Sequence, residues 1–145
     1  MKKLFNSLFG VALLVLVGCA AAPTLTPPNS QDPIVVYHRS GGFAGVDETW
    51  SIYADGRVQY AGRGTSSTGQ LTADQLSSLF ATLRSIDLTS IKDSYIGADT
   101  CCDRFIYELT INLDGKTKSI KTIDAAEGEP AALTTLLNAI SAITH

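Results

Sequence analysis

The side chains with the most reactive chemistry here are few: three cysteines, Cys19, Cys101 and Cys102, and two histidines, His38 and His145. His38 falls in a β-rich run and His145 at the end of the chain, and neither has a nucleophile, base or metal ligand at motif spacing. There is no Gly-rich phosphate loop between a strand and a helix, and no His-Glu-x-x-His. Aspartates and glutamates gather in turns and at helix starts, where capping accounts for them. Asp93, Asp99 and Asp103 invite a calcium reading, but their spacing matches no calcium loop, so turn formation is the better account. The inventory points to a protein that is not an enzyme and that needs no metal or cofactor. Cys101-Cys102 stands out: adjacent thiols in an oxidising compartment either close a vicinal disulfide, pair with other molecules or stay reduced. The vicinal disulfide is the favoured reading, since Cys19 has a separate use and no other cysteine follows it. Such a bridge would stiffen 97–103 while closing no long loop, so it would add little stability through chain entropy.

Cys19 belongs to the N-terminal signal. Met1-Lys2-Lys3 is a short basic start, and the apolar run Leu8–Val17 is far below the ~20 residues that span a bilayer in a helix. It suits the apolar region of a secretory signal. Leu16-Val17-Gly18-Cys19 resembles the bacterial lipoprotein lipobox, which implies cleavage before Cys19, acylation of its thiol with a diacylglycerol and a further amide-linked chain such as palmitate. More than one acyl chain is what stable anchoring needs. Ala20 follows the cysteine in place of the Asp that retains lipoproteins in an inner membrane. The expected location is the cell envelope: the outer membrane in a Gram-negative cell, otherwise the outer face of the cell membrane.

The chain then divides into a signal (1–18), the lipidated Cys19 with a Pro-rich tether (19–32), and a folded domain (33–145). The tether segment Ala20–Asp32 carries three prolines and no apolar periodicity, and reaches at most roughly 40 Å. Loss of Lys2 and Lys3 with the signal leaves nine basic against fourteen acidic side chains, a formal −5. That balance excludes nucleic acid and anionic headgroups as partners, since both reward Lys/Arg clusters. A monomer is expected.

The elements follow from two periods. Ile34–Arg39 is β-rich and starts after Pro33. Glu48–Tyr53 and Arg57–Ala61 flank Ala54-Asp55-Gly56, and Phe105–Leu113 and Lys116–Ile123 flank Asp114-Gly115; Asp-Gly is a strong hairpin signal. Along Phe105–Leu113, Phe105, Tyr107, Leu109, Ile111 and Leu113 share one face and Glu108, Thr110 and Asn112 the other, which describes a sheet with one buried and one wet face. Thr72 and Gln75 form a capping box ahead of a helix striped by Leu76, Leu79, Phe80 and Leu83. A second helix starts near Pro130, preceded by Glu127 and Glu129, with the stripe Leu133, Leu136, Leu137, Ile140 and Ile143. The expected fold is α+β: a single antiparallel sheet of about five strands in the order β-β-β-α-β-β-α, with both helices on one face. Pairing between the two halves is left open.

Ser40-Gly41-Gly42-Phe43-Ala44-Gly45 is the remaining feature. Its three glycines permit positive φ and close backbone approach, and Phe43 either folds back onto the core or faces a partner. This loop, with the strand before it, the aromatic strand Phe105–Thr110, the strand ending at Asp124 and the Leu-rich helix after Pro130, resembles the emfourin family, small inhibitors of thermolysin-like (M4) metalloproteases related to protealysin. The resemblance covers most of 34–143, with only the glycine-phenylalanine loop distinctive. It implies a non-enzymatic domain that binds a secreted or periplasmic metalloprotease through residues 40–45. Phe43 would be the anchor, since such proteases favour bulky apolar side chains beside the scissile bond. The lipid anchor and Cys101-Cys102 depart from the family pattern. They open a second reading, an envelope scaffold or adhesion lipoprotein that blocks no active site.

Overall fold

In the computed structural model, residues 31–98 and 103–144 are described. Six strands and two helices follow in the order β1 (Pro33–Gly41), β2 (Val46–Tyr53), β3 (Arg57–Gly62), β4 (Thr65–Gln70), α1 (Ala73–Ser85), β5 (Phe105–Leu113), β6 (Lys116–Ile123) and α2 (Ala131–Thr144). All strands are antiparallel, in the sheet order β4-β3-β2-β1-β5-β6. The fold is α+β as expected, with one strand more. β4 reads Thr-Ser-Ser-Thr-Gly-Gln and is exposed along its whole length, so it has no apolar alternation to betray it. It is created by its turn: Arg63 and Gly64 both have positive φ, 27° and 80°, the backbone signature of a two-residue hairpin whose twist matches its strands.

Local chemistry accounts for the other joints. The β2–β3 turn closes with Gly56 N–H donating to Tyr53 O at 2.9 Å, Gly56 at φ 84°, and Asp55 accepting from Arg57 N at 3.0 Å. Asp114-Gly115 has φ of 50° and 74°, again the two-residue form. At the start of α1, Thr72 Oγ1 accepts from Gln75 N at 3.2 Å while Gln75 Oε1 accepts from Thr72 N at 2.9 Å. Both halves of the capping box are made. Pro130 stands just before α2, and its carbonyl accepts from Leu133 and Thr134. Glu129 ties this start to the sheet, accepting from Thr122 at 2.7 Å and Thr134 at 2.9 Å. Thr122, only 1% exposed, thereby satisfies its hydroxyl.

Strand register sorts the side chains into two faces. Val58, Ile52, Val35 and Ile111 form one row across the sheet, and Tyr60, Trp50, Tyr37, Leu109 and Ile120 the next. Except for Tyr60, which is partly buried against them, these residues join Leu79 and Leu83 of α1 and Leu133, Leu136 and Ile140 of α2 in one buried cluster. Burying those stripes against a single face is what makes the helices fold. Truncating a fully buried member such as Ile111 to Ala would cost about 2–5 kcal/mol. Among the described residues no buried side-chain polar atom lacks a partner, and no helix is long and apolar enough to cross a membrane.

Candidate functional site: the Phe43 loop

β1 is central, hydrogen-bonded to β2 on one side and β5 on the other. It enters at Pro33 and ends at Gly41, a strand of nine residues, roughly 30 Å at 3.3 Å per residue. The end of the sheet reached at Gly41 gathers the β1–β2 turn, the β3–β4 turn and the start of β5, because Gly41 pairs with Val46 and with Phe105. Ser40 is still in the ladder, opposite Asp47 and Ile106. Residues 42–45 form a four-residue turn closed by Gly45 N–H donating to Gly42 O at 2.8 Å.

All three glycines are required there. Gly41, Gly42 and Gly45 have φ of 102°, 67° and 57°. A Cβ on Gly41 would sit 2.6 Å from the Arg104 carbonyl oxygen, one on Gly42 2.7 Å from the Phe105 ring, and one on Gly45 2.7 Å from the Arg63 guanidinium. Gly42 N–H donates to Arg104 O at 3.1 Å, and Arg63 donates to the carbonyls of Ala44 and Gly45. The turn is thus clamped from both flanks. Phe43 at its tip is 96% exposed, the one large apolar side chain left in solvent among the described residues. Of the two placements open to it, folding back onto the core is not the one adopted.

A lattice of rings and charges underlies the turn. Arg39 lies over the rings of Phe105 and Trp50, 5.3 and 5.6 Å from their centres, and donates to Glu48 at 2.6 and 3.2 Å. Trp50 contacts Tyr37 and Tyr60, and Tyr37 stacks on Tyr107. Asp124 accepts from Tyr107 Oη at 2.6 Å and from Phe105 N at 2.9 Å. Burial first, and then the Asp124 carboxylate, push the Tyr107 phenol well above its ordinary pKa. Tyr37 is raised mainly by burial, against the pull of Arg39. Sequence reasoning missed Arg63 and Arg104 as braces; Arg63-Gly64 carried a turn signal, and Arg104 carried none.

His38 lies on the other, wet face, its Nε2 2.8 Å from Asp47 Oδ1 and its Nδ1 3.7 Å from Glu108 Oε2. Lys121 continues the row, and its contact with Glu108 is the main cause of that carboxyl's lowered pKa. An imidazole between carboxylates orders a surface; the contacts it makes here include no nucleophile. Asp93 pairs with Lys118, and Asp103 is exposed. No group of three or more metal-ligating side chains occurs among the described residues. Cys19, Cys101, Cys102, Asp99 and His145 lie outside the described residues.

No curated protein matches the chain. A family model described as a domain of unknown function, DUF6438, matches residues 47–144. The match runs from the second residue of β2 to the end of α2, leaving β1 and the Phe43 turn before it. Covering two thirds of the sequence, it shows that this chain belongs to the DUF6438 family.

Proposed function

We propose that this chain is a lipid-anchored envelope lipoprotein whose domain is a non-enzymatic inhibitor of thermolysin-like metalloproteases, with the turn 42–45 as its contact element. The observation that carries the reading is Phe43, 96% exposed on a turn that three glycines and two arginine neighbours hold in place. A preordered turn loses little conformational entropy on binding, and it offers the bulky apolar side chain that such proteases favour. The topology also supports anchoring: the chain enters β1 at Pro33, and the turn follows its far end. A tether on Cys19 would therefore hold the domain by the end opposite the contact element. Ser40 and Gly41 serve as the strand base of the turn, and Gly42, Phe43, Ala44 and Gly45 as its contact surface.

The test is Phe43→Ala. Affinity for the protease should fall at least tenfold, about 1.4 kcal/mol, as removal of an interface anchor does. The melting temperature should stay unchanged, because the ring buries nothing in the domain. Unchanged affinity would remove Phe43 from the interface.

A further inference from the structure

The two edges of the sheet are protected unequally. β6 carries Lys116, Lys118 and Lys121. Its outer side is partly taken up by residues 93–95: Lys121 N donates to Asp93 O at 2.9 Å, and Tyr95 N donates to Lys121 O at 2.8 Å. Ser94 forms a bridge with the same residue. Charges and a covering segment are common guards against edge-to-edge pairing. β4 has neither. It contains no charged residue and no proline, all six residues are exposed, and among the described residues it pairs with β3 alone.

The outward groups of β4 follow from its turn. In a two-residue hairpin, the residues flanking the turn, here Gly62 and Thr65, form a hydrogen-bonded pair. Alternation along the strand then directs the backbone groups of Thr65, Ser67 and Gly69 toward β3 and those of Ser66, Thr68 and Gln70 outward.

We infer that β4 pairs antiparallel with β4 of a second copy of this chain, about a two-fold axis at Thr68, joining two six-stranded sheets into one. Antiparallel strands set outward residues against outward residues. Thr68 therefore opposes Thr68, and Ser66 opposes Gln70 in both directions. Every outward donor and acceptor of the strand is met, and the central threonines are a favourable cross-strand pair. The ends agree as well. This register brings the β3–β4 turn, which holds Arg63, to the start of α1 in the other copy, whose first turn carries Asp74, so a basic turn meets an acidic helix start twice by symmetry. A foreign strand would gain only the backbone bonds, since β4 presents no apolar side chain to recognise. Six residues of edge fall short of the roughly 1,200 Å² typical of stable complexes. The dimer is therefore weak, and a dilute domain is monomeric.

Cysteine substitution in the full-length, membrane-resident chain tests this. At Thr68→Cys the opposed Cα atoms would be about 5.5 Å apart, within disulfide range. Mild oxidation should give a reducible species of doubled mass, at least tenfold above both the parent, which controls for Cys101 and Cys102, and Thr49→Cys on the same face of β2. Thr68→Lys opposes like charges while keeping the β3 ladder, and should return concentrated protein from dimer to monomer in sedimentation. Equal cross-linking at positions 68 and 49, or none, would overturn the proposal. So would linkage of Thr68→Cys to a different protein, or a dimer untouched by Thr68→Lys.

Discussion

A phenyl ring left in water forgoes roughly 2–3 kcal/mol that burial would contribute. One exposed apolar side chain is common enough to mean little alone. Phe43 gains weight from its neighbours, because Gly41, Gly42 and Gly45 occupy positions where any side chain would both demand an unfavourable φ and strike another group. The sequence left the direction of Phe43 open for a physical reason: the positive φ angles at Gly41, Gly42 and Gly45 decide it, and none is encoded by hydropathy. Tyr107 allows a separate check on the lattice beneath the turn. Its folded-state pKa lies above the unfolded value of about 10. The unfolded chain therefore releases the proton first, and the stability this phenol contributes is full below about pH 10 and lost as pH rises beyond it. Tyr107→Phe should cost about 1–2 kcal/mol at neutral pH, through loss of the bond to Asp124. It should also flatten the decline in stability above pH 10, measured by denaturant titration across that range. An unchanged alkaline slope would contradict the assignment.

The two neighbouring hairpins act as one unit, since Arg63 of the β3–β4 turn donates to two carbonyls of the β1–β2 turn. Arg63→Ala should leave the melting temperature within a few degrees of the parent, because these groups are exposed. It should weaken protease binding about fivefold, since the freed turn must then be ordered on binding. Equal affinity with and without Arg63 would mean that the turn holds its shape unaided. Elements with a local signature were legible beforehand: both Asp-Gly hairpins, the Thr72–Gln75 capping box and the one-sided apolar face of Phe105–Leu113. β4 was not, because its residues are polar and exposed along the whole strand and carry no apolar alternation. The placement of β1 between β2 and β5 was not, because Val35 finds Ile111 across most of the domain, and no local pattern specifies so distant a pairing.

Taken as a whole, the domain is asymmetric along β1, with the chain entering at Pro33 and the exposed phenylalanine beyond Gly41. Replacing Cys19 by Ser should abolish acylation and move the protein out of the membrane detergent phase; a variant that partitions like the parent would end the lipoprotein reading. The wet face of the sheet is crossed instead by a charged row, Asp47, His38, Glu108 and Lys121. We propose that this domain stops a thermolysin-like protease by filling its cleft with the Phe43 turn. The direct measurement is a titration of the soluble domain, starting at Ala20, against a panel of such proteases, following cleavage of a small peptide substrate. Activity should fall to completion at one domain per enzyme. Full activity across the panel at micromolar excess of the domain would contradict it and favour an envelope scaffold.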